Sequence, residues 1–251
     1  MFSILFHSPT EREDYLVAEL WELGTQGIIE EEGGIRAFFD GRSNPVSLLA
    51  RFAEFSPELR HEALTDWSQI SRDAWPPLDI GERFFLVAPW STHPTPAGRL
   101  RLEINPGMAC GTGRHPCTQL CLEAIGRYVR PGDLLIDIGT GSGILSAAAL
   151  LVGAGRVVAC DIDPQAVRIA SERSDDPHLF IGSADAIRSA SADVVVANID
   201  AATMERIAHE LARVLKPAST LILSGFPEGD VPDGFQPKET LRLDGWICLI
   251  C

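Results

Sequence analysis

Four stretches of the chain place polar or glycine residues at spacings that chemistry can use. Residues 134–143, LLIDIGTGSG, run from an apolar strand-like segment into Gly139, Gly141 and Gly143. Glycines let the backbone turn tightly and let a ligand approach it closely. The context is strand, loop and helix, which gives a glycine-rich loop its meaning. The spacing is GxGxG, whereas GxGxxG suits a pyrophosphate. This loop therefore suits a ligand without phosphate, such as S-adenosylmethionine, whose amino-acid portion can lie over it. Asp161 follows Gly139 by 22 residues, at the end of RVVACDI. An acidic residue at that remove accepts hydrogen bonds from ribose hydroxyls. The competing role is a helix N-cap, and Asp163, directly before Pro164, suits that role better. Asn198 ends the run VVVAN, at the carboxyl end of a central strand, where open α/β sheets bind ligands. Its amide oxygen can accept from an N–H donor, and an Asx turn is the alternative. Residues 105–119, NPGMACGTGRHPCTQ, form a glycine- and proline-rich loop that can fold over a ligand, with the Thr118 hydroxyl as a donor.

Regular alternation of elements positions these groups. Helix 117–129 precedes strand 133–139. Helix 143–154, strand 156–162, helix 164–173 and strand 178–182 follow, then strand 193–199, helix 201–215 and strand 220–226. Near-continuous apolar strands between helices indicate a parallel sheet covered on both faces, a doubly wound α/β (Rossmann-like) domain. Asp244-Gly245 marks the turn of a terminal antiparallel hairpin.

The first 65 residues read differently. A strand over 3–8 is followed by a helix with a capping box from Thr10 to Glu13 and an apolar face of Leu16, Val17, Leu20 and Leu23. Two strands meet at Gly33-Gly34, Asn44-Pro45 opens a second helix, and RHEALTD supplies a fourth strand. The order βαββαβ is the split, ferredoxin-like pattern of a small α+β domain. Residues 66–99, rich in Pro and Trp, are expected to form a structured linker with one strand over 84–90. The second domain is expected to span 100–251.

Composition narrows the function. A net charge of −14 argues against sequence-independent binding of nucleic acid, which needs clustered Lys and Arg; it suits a basic partner and equally suits an acidity that simply keeps the protein soluble. No apolar run is long enough to span a bilayer and no signal peptide is evident, so a cytoplasmic protein without membrane association is expected. The six cysteines lack framework spacing and read as free thiols. Cys248 and Cys251 form a CxxC within a strand, where period-2 geometry sends them to opposite faces. No metal site is expected, and the expected state is a monomer.

With these pieces in order, the chain resembles the bacterial PrmA family, which methylates ribosomal protein L11. NPGMACGTGRHPCTQLCLE is similar to that family's DPGxAFGTGxHPTTxLCL signature, and DIGTGSGILSAAALLVGAGRVVACDIDPQAV to its cofactor-binding core. DVVVANIDA and LKPASTLILSG resemble its VVANILA and LKPGGxLxLSG. The similarity covers residues 66–251, while the first 65 match in element order. The resemblance implies a class I S-adenosylmethionine-dependent protein methyltransferase, with a cofactor site of Thr118, Gly139, Asp161 and Asn198. It also implies that the small domain and linker grip the substrate, ribosomal protein L11, whose lysine ε-amines and α-amine would be modified. Methylation of another protein or of a small molecule is the alternative. Asn198 is expected to orient the reacting amine and not to act as a base, with His115 shaping its loop. Arg114, Cys117 and Asp200 depart from the family pattern, and Asp200 would set a carboxylate where it can hold a cationic amine. After residue 226 the chain has no room for the customary helix.

Overall fold

A computed structural model describes residues 2–7, 13–25, 27–31, 34–40, 43–61, 75–105, 113–173 and 177–251. The chain divides into two compact units, Met1–Ser71 and Arg72–Cys251. The expected boundary at residue 65, the Thr10 cap and the Gly33 half of the first hairpin turn lie outside the described residues.

In the first unit, β1 (Phe2–Phe6), α1 (Glu13–Glu22), β2 (Gly27–Glu31), β3 (Gly34–Phe39), α2 (Pro45–Arg51) and β4 (Glu58–His61) follow the order read from sequence. The sheet runs β2-β3-β1-β4 with every pairing antiparallel. Strand alternation sends Phe2, Ile4 and Phe6 of β1, and Ile35, Ala37 and Phe39 of β3, onto one face. Leu16 and Leu20 of α1 and Leu48 of α2 pack there with Phe52 and Phe55. Asn44 caps α2, its side chain accepting from the Val46 and Ser47 amides at 3.0 and 3.4 Å. The helix is shorter than the apolar pattern suggests. It ends at Arg51 and gives way to a single 3₁₀ turn over Ala53–Phe55. The fourth strand starts at Glu58, two residues before the run expected for it.

The second unit opens with a three-stranded sheet, β5 (Leu78–Ile80), β6 (Phe84–Val87) and β7 (Leu100–Glu103). One strand was expected between residues 66 and 99, and the described part holds two. Phe84, Leu86 and Leu102 of this sheet are buried in one core cluster with Leu120, Cys121 and Ile125 of α3 (Pro116–Tyr128).

The main sheet is built from β8 (Leu134–Ile138), β9 (Arg156–Asp161), β10 (His178–Ile181), β11 (Ala192–Asn198), β12 (Leu215–Pro227), β13 (Glu239–Leu243) and β14 (Trp246–Ile250). Its order is β10-β9-β8-β11-β12-β14-β13, the first five parallel and the last two antiparallel. Crossovers run in opposite directions from β8, so the switch point lies between β8 and β11, where sheets of this kind bind ligands. On one face Leu135, Val194 and Val196 pack with α3 and α4 (Ile144–Leu151); on the other Ile136, Ile138, Val195 and Ala197 pack with α6 (Ala201–Val214). Between β9 and β10, α5 (Pro164–Ser171) is capped by Asp163, which accepts from the Gln165 amide at 2.8 Å. The terminal hairpin turns at Asp244 and Gly245, both at positive φ (47° and 78°). Cys248 and Cys251 fall in clusters on opposite faces of the sheet, as their spacing requires.

β12 begins at Leu215, five residues before the strand expected from its apolar run. The residues between are accommodated by a register shift against β11 and by Ala218 at φ 60°. No helix intervenes between β12 and β13. Phe235 from that connection packs against the α6-side core.

Gly225 fixes how closely β12 approaches the chain leaving β11. It holds φ 106°, and a Cβ there would lie 2.4 Å from the Ile199 carbonyl oxygen and 2.6 Å from its nitrogen. Gly225→Ala is expected to cost about 2 kcal/mol of backbone strain. Calorimetry should show this as a melting temperature lower by roughly 4–8 °C; an unchanged transition would mean the contact relaxes freely.

Candidate functional site

The loop after β8 turns through Gly139, Gly141 and Gly143 at φ 75°, 53° and 76°. The Gly139 and Thr140 amides donate to the Cys160 carbonyl at 2.9 and 3.0 Å, which ties the loop to the end of β9. A Cβ at Gly139 would stand 2.6 Å from Ile199 Cγ2, so any other residue would displace the Ile199 side chain while holding a strained positive φ of 75°. Gly143 is the N-cap of α4 and supplies no side-chain cap. The Ser146 amide turns to the Asp137 carboxylate, and those of Ile144 and Leu145 are left for an anionic group, with the positive end of the helix dipole behind them.

Asp161 sits where the spacing puts it, at the end of β9. Its Oδ2 accepts from the Gly141 amide at 3.0 Å and its Oδ1 from the Asp163 amide at 3.0 Å. The carboxylate is oriented by backbone before any ligand arrives, and its remaining lone pairs can accept from two neighbouring hydroxyls. Between the two aspartates, Ile162 is 77% exposed, and Ile181 at the end of adjacent β10 is also exposed. An apolar surface beside a ribose acceptor suits the flat face of a purine. Sequence reading missed it, although an isoleucine between two aspartates in a turn was the available signal.

The structure brings together Asn198 and Thr118, 80 residues apart in the chain. The Asn198 Nδ2 donates to Thr118 Oγ1 at 3.2 Å. Asn198 ends β11, and Thr118 lies in the first turn of α3, begun by Pro116 and capped by His115. His115 Nδ1 lies 2.8 Å from Cys117 Sγ, and its ring meets Trp246 edge-on with centroids 4.4 Å apart. Burial pushes the Cys117 thiol above its ordinary range, against hydrogen bonds from Thr118 and Asn198. Arg114 is engaged elsewhere: its guanidinium stacks over Trp75 at 4.7 Å and donates to the Pro76 carbonyl. Asp200 takes a different role from the one suggested by its charge. It is the N-cap of α6, its Oδ1 accepting from the Thr203 amide at 2.9 Å, and that bond holds its carboxyl below the usual range. Its carboxylate therefore supports the helix, and nothing in its contacts marks it as a holder of the amine.

Asp137 is the site residue that strand patterning concealed. It sits inside β8, fully buried on the α4 side, where an apolar residue would be expected. Thr140 Oγ1 and Ser146 Oγ donate to its Oδ2 at 2.8 and 2.7 Å. Its Oδ1 is buried and meets no donor among the described residues. A buried, half-satisfied carboxylate under a glycine loop is an acceptor for an ammonium group, such as that of an amino-acid moiety lying over the loop. With the α4 amides for a carboxylate and Asp161 for a ribose, the donor and acceptor set fits S-adenosylmethionine.

Burial pushes the Asp137 carboxyl up to about 6, the Ser146 and Thr140 bonds offsetting part of the effect. A raised carboxyl pKa means the folded state keeps its proton longer than the unfolded one. Stability of the ligand-free protein therefore falls as pH rises from about 4 to about 6, by roughly 3 kcal/mol, and levels off beyond. Asp137→Asn should remove this dependence, so its stability advantage over the wild type should grow across that window in denaturant titrations. A constant difference from pH 4 to 7 would show that the carboxyl titrates normally.

Residues 4–251 match the family model described as "Ribosomal protein L11 methyltransferase (PrmA)". A ribosomal protein L11 methyltransferase of Burkholderia mallei is 37% identical over 247 residues, covering 90% of this chain and 82% of that protein. One of Geobacillus kaustophilus is 38% identical over 200 residues, 74% of this chain, and the match spans 64% of that relative's length. Among solved structures, the ribosomal protein L11 methylase of Lactobacillus delbrueckii subsp. bulgaricus aligns with TM-score 0.63 and 28% identity, over 69% of this chain and 96% of that one. The cofactor is S-adenosylmethionine, and the chain belongs to the PrmA family of ribosomal protein L11 methyltransferases.

Proposed function

We propose that this chain transfers methyl groups from S-adenosylmethionine to amino groups, lysine ε-amines and an α-amine, of ribosomal protein L11 in the cytoplasm. The observation that carries the reading is the family match over residues 4–251, on a chain whose switch point joins Asn198 to Thr118 beside the glycine loop. Charge distribution supports a basic protein partner. The first 71 residues hold thirteen acidic and five basic side chains, a net −8 of the chain's −14. Such a body attracts a lysine-rich surface and repels a phosphate backbone. On this reading the small unit is the part that grips the substrate. Among the described residues no helix is long and apolar enough to cross a membrane.

Bound S-adenosylmethionine supplies an electrophilic methyl on a positively charged sulfur. Thr118, Gly139, Gly141, Gly143, Asp161 and Asn198 would hold it, with Asp137 and Ile162 added from the structure. The reacting amine displaces the methyl in line: the N–C bond forms as the C–S bond breaks, and the proton leaves to solvent. Holding the two at near-attack distance is the largest contribution a protein can make to such a step. A lysine amine must first become neutral, about 4–5 kcal/mol uphill at pH 7 from a pKa near 10.4. Desolvation beside a sulfonium lowers that cost. The Asn198 Oδ1, with its Nδ2 donating to Thr118, is the acceptor that can take an amine N–H and aim the lone pair at the methyl.

Intact-mass analysis of purified L11 after incubation with the protein and S-adenosylmethionine tests the reading. Mass gains in steps of one methyl for hydrogen, about 14 Da, are expected. No gain with cofactor binding intact would move the substrate elsewhere. Asn198→Ala should lower kcat by about 100-fold while weakening cofactor binding far less; equal losses would make Asn198 a binding residue only.

A further inference from the structure

We infer that His115 and Cys117 are positioning residues that fix which way the Asn198 amide faces. The inference rests on the reading above, in which Asn198 presents Oδ1 to the substrate amine. An asparagine amide fits its site equally well in either orientation, so the neighbouring donors and acceptors must choose between them. The flipped amide would set an NH₂ group against the amine, donor facing donor.

The choice can be followed atom by atom. The Cys117 backbone N–H donates to His115 Nδ1 at 3.4 Å, in the N-cap geometry of α3. Nδ1 is therefore an acceptor, and the ring N–H is the one on Nε2. Nδ1 also lies 2.8 Å from Cys117 Sγ, and the hydrogen that bridges those two atoms is the thiol's. With its proton directed at His115, Sγ can only accept from its other neighbours. One of them is Thr118 Oγ1, 4.0 Å away, whose hydroxyl hydrogen then points to Sγ. The Thr118 oxygen is left to accept, which selects Nδ2 of Asn198 at 3.2 Å. That relay holds Nδ2 inward, and Oδ1 has no protein donor among the described residues. The edge of Trp246 keeps the imidazole in place. A hydroxyl at position 117 would donate to His115 and accept from Thr118 in the same way, so the cysteine preserves the polarity that the family's usual threonine would give.

The test uses Cys117→Ala and Cys117→Ser, each in the wild-type and Asn198→Ala backgrounds. L11 methylation gives kcat and KM, and titration gives cofactor affinity. Cys117→Ala should lower kcat about 10-fold, less than the loss on misplacing a reacting group outright, with cofactor affinity within about 2-fold. Cys117→Ser should retain kcat within about 3-fold. In the Asn198→Ala background Cys117→Ala should add nothing, since its effect passes through Asn198. Wild-type turnover in Cys117→Ala, or equal losses in both backgrounds, would overturn the inference. A second measurement needs no substrate. The side-chain ¹H–¹⁵N signals of Asn198, assigned by their absence in Asn198→Ala, should shift in Cys117→Ala and stay near the wild type in Cys117→Ser. Unmoved signals in both variants would overturn the inference whatever the activity. If the wild type leaves L11 unmodified, the substrate reading fails while this spectrum still decides the positioning claim.

Discussion

The parallel pairing of β8 with β11 is the constraint on which the site depends. The sheet grows from β8 through β9 and β10 on one side and then from β11 through β12 on the other, so the carboxyl ends of β8 and β11 flank a gap that no connection fills. Ile138 lies opposite Ala197 in register, so the glycine loop leaves β8 one residue from where Asn198 ends β11. Every other contact at the site refers to that pairing. The Gly139 turn lies against the Ile199 side chain, and Gly225 brings β12 against the backbone of the same residue. α3 then packs on the β8–β11 face, which sets Thr118 against Asn198.

Much of this was legible in the residues because their spacing has few other uses. Three alternate glycines after a buried strand, an aspartate 22 residues on and an asparagine at the next strand end can hardly serve packing alone. The terminal hairpin was legible from Asp244-Gly245, whose positive φ values its type of turn requires. What escaped were features whose signal is tertiary. Asp137 reads as one polar residue in an apolar strand, and its hydroxyl partners, Thr140 of the glycine loop and Ser146 of α4, are identified only once loop and helix fold back over β8. Asp200 reads as a charge beside the amine, but helix α6 claims its side chain first. The early start of β12 depends on Ala218 adopting a left-handed conformation, which no propensity favours. The strand over 78–80 lies in a Pro- and Trp-rich stretch where periodicity is weak, and burial of Ile80 against α3 decides its state.

The family assignment and the site reinforce each other by different routes. Similarity extends from residue 4 to the end of the chain, so it includes the small α+β unit that holds no catalytic constellation. The departures at positions 114, 117 and 200 each find a local partner: Arg114 an indole and a carbonyl, Cys117 an imidazole, Asp200 a backbone amide. None removes a group from the glycine loop, from Asp161 or from Asn198.

Asp161 fastens the glycine loop to the turn after β9 through two backbone amides, one on each of its oxygens. A corner clamped in that way is already ordered when the nucleoside arrives, so binding need not bear the entropy of folding a loop. Turnover also requires the spent cofactor to leave and a fresh one to enter after each methyl is delivered. With this corner already tied down, that exchange requires no folding and unfolding of the glycine loop at each round, and the grip on the nucleoside sets how long it stays.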